Sequence, residues 1–181
     1  MMTAKTQIKR PAGRPCPGTF GNAPVRGKLP DPRATDMLGT AIGEALSPGD
    51  TVLLSGTLGA GKSALARAAI RARLREPEAV VPSPTYTLVN VFDSPTGEIW
   101  HADLYRLGHP EEIEELGLAD AFGRALTLVE WPDRLGALCP KKRLEISLAP
   151  EDLGRSVEIR AFGRDWRALL SAAEQVLGQA S

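Results

Sequence analysis

The order of elements along this chain predicts an α/β domain built on a mostly parallel sheet with one antiparallel hairpin, flanked by helices. Three observations carry that prediction. Gly56-Thr57-Leu58-Gly59-Ala60-Gly61-Lys62-Ser63 matches the pattern G-x-x-x-x-G-K-[ST] in full. The apolar run Thr51-Val52-Leu53-Leu54 precedes it, and a helical pattern from Ser63 to Ile70 follows it. Further on, two strand-like runs flank Asp93-Ser94-Pro95-Thr96-Gly97, a hairpin connection. Strand, glycine loop and helix in that order are what a phosphate-binding P-loop requires, so the expected class is a P-loop NTPase.

Length and composition fit one domain. The chain has 181 residues, 43% of them hydrophobic, enough for one substantial core. Its 22 basic and 22 acidic residues cancel, yet residues 1–28 hold Lys5, Lys9, Arg10, Arg14, Arg26 and Lys28 with no acid. The rest of the chain is therefore acidic, which argues against an autonomous nucleic-acid binder and against a DNA partner. Prolines and glycines interrupt residues 1–28 throughout, so they read as a disordered basic tail ahead of a P-loop domain at 29–181. By default this tail is a solvated extension, and contact with RNA is the alternative. It has no apolar segment of secretory type, and no run is long enough to span a membrane. Cys16 and Cys139 suggest neither a metal site nor a disulfide framework, and the expected compartment is the cytoplasm.

Within the folded part, Leu38, Ala41, Ile42, Ala45 and Leu46 recur at helical spacing, giving a helix over 35–46. Ser47-Pro48-Gly49-Asp50 turns the chain into the P-loop strand. On the helix that follows, Arg67, Arg71 and Arg75 fall on one face, read as solvated. The proline-rich stretch 81–87 leads to a strand over 88–92, paired through the hairpin with a strand over 98–104. A short acidic helix, 111–116, and a buried strand, 125–129, come next. Strands near 144–148 and 157–161 and a helix over 165–177 complete the chain.

The chemistry expected at the loop follows from its residue types. Glycines let backbone N–H groups turn inward around phosphate oxygens, and the helix N-terminus adds a positive dipole. Lys62 places a point charge at the β- and γ-phosphates, and the Ser63 hydroxyl can ligate Mg²⁺. In open α/β sheets ligands sit outside the carboxyl ends of strands. Three further groups are delivered there: Thr85 from a loop, Asp103 from the end of one strand and Glu130 from the end of another. Thr85 suits a loop that senses the γ-phosphate. Asp103 and Glu130 suit a Mg²⁺ site, with Glu130 alternatively orienting the attacking water. His101 shares the strand face of Asp103 and is read as structural. Tyr105 and Trp131 are read as core or rim aromatics.

Four segments together carry a resemblance: Gly56–Ser63, Ser83-Pro84-Thr85-Tyr86-Thr87-Leu88-Val89, His101-Ala102-Asp103-Leu104-Tyr105-Arg106-Leu107 and Val129-Glu130-Trp131-Pro132. In that order and spacing they resemble the bacterial TsaE (YjeE) family, small ATPases of tRNA threonylcarbamoyladenosine biosynthesis. The resemblance runs from about residue 29 to the C-terminus. It implies ATP and Mg²⁺ as cofactors and the TsaD and TsaB proteins as partners, with tRNA engaged through that complex. It also implies that Gly56, Leu58, Gly59, Ala60, Gly61, Lys62 and Ser63 bind nucleotide. Ser63, Asp103 and Glu130 would lie at the metal, and Lys62, Asp103, Glu130 and Thr85 would act in hydrolysis. Further nucleotide contacts are implied around 32–35, including Thr35, and near Gly154-Arg155.

Two other classes share the loop. A small-molecule kinase normally carries an arginine-bearing lid, and the short acidic 111–116 segment is a poor one. A guanine-nucleotide switch would show an N-K-x-D base-reading motif after its fourth strand, and none is present.

Overall fold

The computed structural model describes Cys16 and residues 23–180. Strand β1 (Val25–Leu29) leads into helix α1 (Pro32–Ala45), strand β2 (Thr51–Gly56) and helix α2 (Lys62–Leu74). The hairpin β3 (Val89–Ser94) and β4 (Gly97–Asp103) is followed by short helices α3 (Pro110–Glu115) and α4 (Leu118–Ala121), then β5 (Leu126–Glu130). Strands β6 (Arg143–Pro150) and β7 (Arg155–Phe162) and helix α5 (Arg167–Gln179) end the fold.

All seven strands form one sheet in the order β1-β7-β6-β2-β5-β4-β3. Its centre, β6-β2-β5-β4, is parallel, whereas β3 on one side and β7 and β1 on the other are antiparallel. The sheet is thus mixed, not mostly parallel. The expected hairpin is present, but a second antiparallel region lies at the opposite edge. The cause is connection length: residues 151–154 are too few for a crossover, so β7 must fold back beside β6.

The structure also corrects the boundary of the tail. Residues 25–28 belong to β1, which pairs along its whole length with β7, from Val25↔Ile159 to Leu29↔Arg155. Residues 1–15 and 17–22 of the expected tail lie outside the described residues. A second correction concerns the cysteines. Cys16 and Cys139 form a disulfide with Cα atoms 5.9 Å apart, and the Arg143 guanidinium donates to the Cys16 carbonyl at 3.2 Å. The two cysteines are 123 positions apart in sequence, and only the folded chain brings them together.

Two cores sit on the two faces of the sheet. The larger packs Val52, Leu54, Leu128, Leu144, Ile146 and Ile159 against α1, α2 and α5. The smaller joins Leu53, Ala102, Val129 and Leu104 to Leu107, Ile113, Leu118 and Leu135. Strands β2 and β5 contribute to both cores, which explains why their sequences read as continuous apolar runs. Asp31 caps α1 by accepting from the Ala34 N–H at 2.7 Å, and Pro32 occupies its first turn. Helices α1 and α2 touch backbone to backbone: a Cβ at Gly43 would lie 2.4 Å from the Ala69 carbonyl oxygen. That contact fixes α2, and with it the loop at its N-terminus, against the rest of the fold. Among the described residues, no helix is long and apolar enough to cross a membrane.

Candidate functional site

The loop between β2 and α2 occupies the carboxyl edge of the parallel centre. Gly61 is the N-cap of α2 at φ 101°, a left-handed conformation that glycine adopts freely. It has no side chain with which to cap the helix, so no acceptor from the cap residue competes for the first-turn N–H groups. Ala60 is buried beneath the loop, and Leu58 at its tip is 78% exposed.

Lys62 is buried at the base of this loop. Its Nζ donates to the carbonyls of Gly56 at 3.0 Å and Thr57 at 2.9 Å and lies 4.0 Å from the centroid of the Trp131 ring. Burial lowers the Lys62 pKa, and the charges of Glu130, Asp103 and Asp133 oppose that shift. The ammonium is therefore held dry and close to carboxylates, where a further anion would favour its charged form.

Strand register sets the carboxylates. Leu54 on β2 pairs with Glu130 on β5, and Glu130 pairs with Asp103 on β4, so both acids leave adjacent strands at the level of the loop. Glu130 Oε2 accepts from Ser63 Oγ at 2.9 Å, and its Oε1 lies 3.0 Å from His101 Nε2. Asp103 Oδ1 accepts from the Tyr105 N–H at 2.9 Å, and Oδ2 accepts from Thr85 Oγ1 at 3.4 Å. Ser83 supports Thr85 through a 2.8 Å hydroxyl contact.

The structure thus brings together Lys62, Ser63, Thr85, Asp103 and Glu130, all singled out in the sequence. Arg155, the first residue of β7, lies against the other side of the loop: a Cβ at Gly61 would meet its guanidinium at 2.3 Å. Arg155 donates to Thr35 Oγ1 at 3.0 Å. Thr35 is fully buried, and its hydroxyl also donates to the Asp31 carbonyl at 3.4 Å.

Two further rings adjoin this cluster. His101, whose strand face shared with Asp103 puts it within reach of the site although it is expected to be structural, bonds Glu130 through its ring. Trp131 was read as a core or rim aromatic. Its left-handed backbone, φ 60°, folds the indole under Lys62 and 4.8 Å from the Tyr105 ring.

Two carboxylates and two hydroxyls make a hard oxygen donor set suited to Mg²⁺. Among the described residues no three His, Cys, Asp or Glu side chains converge as a protein-only metal cage. Mg²⁺ fits such a set because it completes its shell with phosphate oxygens and water.

Comparison with known proteins shows the family. The family model for "Threonylcarbamoyl adenosine biosynthesis protein TsaE" matches residues 29–157. A tRNA threonylcarbamoyladenosine biosynthesis protein TsaE from Rickettsia bellii is 40% identical over 114 residues, which cover 63% of this chain and 78% of that protein. The protein of the same name from Haemophilus influenzae is 34% identical over 122 residues, covering 67% of this chain and 76% of the relative. The crystal structure of YdiB from Bacillus subtilis superposes with a TM-score of 0.69 at 22% identity, over 84% of this chain and 95% of that one, a likeness of fold. The matched segment spans the loop, both carboxylates and Arg155, so the chain belongs to the TsaE family of tRNA threonylcarbamoyladenosine biosynthesis proteins.

Proposed function

We propose that this protein is a P-loop ATPase that binds ATP with Mg²⁺ at the 56–63 loop and hydrolyses it in support of a TsaD–TsaB complex. In this reading it does not transfer the threonylcarbamoyl group itself. It meets tRNA only through that complex, in the cytoplasm. One observation supports the site above all others: Ser63 Oγ donates to Glu130 Oε2 at 2.9 Å, beside the buried ammonium of Lys62. A hydroxyl and a carboxylate touching at the foot of a glycine loop are the oxygen donors a phosphate-bound Mg²⁺ needs.

The roles follow from position. The loop N–H groups and Lys62 bind the phosphates, and Arg155 flanks them from the side of α1. Ser63, Asp103 and Glu130 would hold Mg²⁺, which when bound neutralises charge on the β- and γ-phosphate oxygens. Glu130 also suits orientation of the attacking water, and Thr85 responds to the γ-phosphate from its loop. The Trp131 ring covers one side of the Lys62 ammonium, which strengthens the electrostatics there.

A kinase reading would need an acceptor site under an arginine-bearing lid. The 110–115 segment is a six-residue helix with Glu111, Glu112, Glu114 and Glu115, which suits that role poorly. A switch protein reading would predict hydrolysis tuned to nucleotide exchange with GTP preference. Neither is favoured by a specific contact in the site.

The isolated chain is expected to be slow. A positive group fixed on the transferring phosphoryl is worth roughly three to five orders of magnitude in this chemistry. Arg106 stacks 5.8 Å from the exposed Tyr86 ring instead. Docking partners can supply such a group or order the 83–87 loop. Steady-state ATP hydrolysis with and without purified TsaD–TsaB tests this: stimulation of roughly tenfold or more supports it, on that scale. Fast turnover alone, unchanged by the partners, refutes it.

A further inference from the structure

Ion pairs such as Arg26–Glu158 and Arg167–Asp165 lie at the surface, away from the 56–63 loop. His101 is placed differently. It lies on β4, in register with Asn90 on β3 and Leu128 on β5, and is fully buried. A carboxylate only accepts hydrogen bonds, so the 3.0 Å contact with Glu130 Oε1 is an Nε2–H donation. The other ring nitrogen, Nδ1, has no hydrogen-bond partner among the described residues.

That combination is poor for stability. A buried ring with one satisfied and one orphaned nitrogen is disfavoured relative to an apolar side chain of similar size. Among the described residues the one side-chain hydrogen-bond partner of the His101 ring is Glu130, so what the ring contributes must be read through Glu130. Glu130 has two competing neighbours: Ser63, which donates to Oε2, and the cation of Lys62, whose pKa registers the Glu130 charge. With Oε1 tied to His101, the carboxylate plane is fixed and Oε2 stays on Ser63. Without that tie, Glu130 is free to turn toward Lys62 and leave Ser63.

The geometry points to His101 as a positioning residue for Glu130, a buried donor that keeps the carboxylate aligned with Ser63 at the nucleotide edge of the sheet. The inference rests on the reading of this edge as a Mg²⁺-dependent ATP site, and the role is one of orientation by a fixed hydrogen bond. It explains the orphaned Nδ1: only the Nε2 side of the ring is needed. Partners that orient metal-binding carboxylates typically influence metal affinity or activity by about 10- to 100-fold.

The test exploits the reach of two amides. The side-chain nitrogen of Gln can take the place of Nε2, whereas the shorter Asn reaches only the Nδ1 level. Full-length wild type, His101→Gln and His101→Asn are compared for kcat, KM for ATP, the Mg²⁺ concentration giving half-maximal rate, and ADP binding in EDTA by calorimetry. His101→Asn should lower kcat and raise the Mg²⁺ requirement by about tenfold or more. Its metal-free ADP affinity should stay near that of the wild type. His101→Gln should recover most of the lost rate and the wild-type Mg²⁺ requirement. Equal defects in Gln and Asn, or wild-type behaviour of both, overturn the positioning role. If the Asn variant does not fold, His101→Leu, which fills the space without a donor, replaces it in the comparison with His101→Gln, and the same outcomes decide. A wild type that fails to bind ADP and to hydrolyse ATP overturns the site itself, a separate result.

Discussion

The parallel centre of the sheet and its β6–β7–β1 flank treat polar residues in opposite ways. In the centre, β2 and β5 are covered on both faces, Val52, Leu54 and Leu128 by one core and Leu53 and Val129 by the other. Buried polar side chains there either satisfy each other, as Thr51 and Thr127 do at 2.8 Å, or gather at the carboxyl edge as His101, Asp103 and Glu130 beside Lys62. In the flank one face is packed throughout, with Ile146, Val157 and Ile159 in the larger core, while on the other face burial is confined to the β6–β7 end around Arg143 and Phe162. The other face carries Arg26, Lys28, Glu158 and Arg160 in partly exposed ion pairs. A polar group in the centre costs several kcal/mol unless it is bonded, whereas on the flank it costs almost nothing. A cluster of charges is therefore informative about chemistry in the first place and nearly silent in the second.

If this contrast is sound, substitutions in the two regions should differ sharply. Asp103→Asn and Glu130→Gln keep size and hydrogen bonding but delete charge at the carboxyl edge. Each is expected to lower ATP turnover by about 100-fold or more, with at least one sparing nucleotide binding. Normal turnover in both, measured at saturating Mg²⁺-ATP, would make the buried cluster structural and break the comparison. An intermediate effect belongs to Arg155, the group the flank delivers to the loop beside Gly61. Arg155→Ala should weaken ADP binding by about tenfold, the scale of one charge-assisted hydrogen bond, with a smaller effect on kcat. Unchanged affinity by calorimetry would confine Arg155 to holding Thr35.

The smallest effect is expected on the open face. Burial pushes the Glu158 pKa up, but its bonds to Arg160 and Arg26 outweigh this and hold it below the ordinary 4.5. A carboxyl with a depressed folded pKa adds stability above its unfolded value and loses it as pH falls through the folded one. Glu158→Gln should thus cost less than about 1 kcal/mol at pH 7, with the difference from wild type shrinking below about pH 4.5. Hydrolysis should not change. Denaturant melts at pH 7 and pH 3 decide it, and a loss that grows in acid would contradict the assignment.

What the sequence disclosed follows the same divide. The centre was legible because two-sided burial writes continuous apolar runs, and because the loop motif fixes where strand gives way to helix. Strand β1 was hidden: Val25-Arg26-Gly27-Lys28-Leu29 sits in a proline- and glycine-rich setting, and only pairing with β7 makes it a strand. The sheet is mixed where the sequence suggests a mostly parallel one, because the turn over 151–154 that folds β7 back beside β6 carries no motif of its own. No local signal could join Cys16 to Cys139 across 123 positions. At the site, the loop, Asp103 and Glu130 lay at predicted element ends. Trp131 acquires its place from a left-handed residue at the end of β5, which residue types alone do not announce.

The most direct test of the central claim is Mg²⁺-dependent ATP hydrolysis by the purified chain beside its Lys62→Ala variant, with folding checked by thermal melting. Lys62 is the buried cation at the foot of the loop, and the proposed function requires it at the phosphates. The wild type should release phosphate from ATP only with Mg²⁺ present. The folded variant should lose detectable turnover and bind triphosphate more weakly by a few kcal/mol. Wild-type turnover in a correctly folded Lys62→Ala protein would contradict the assignment of the 56–63 loop as the ATP site.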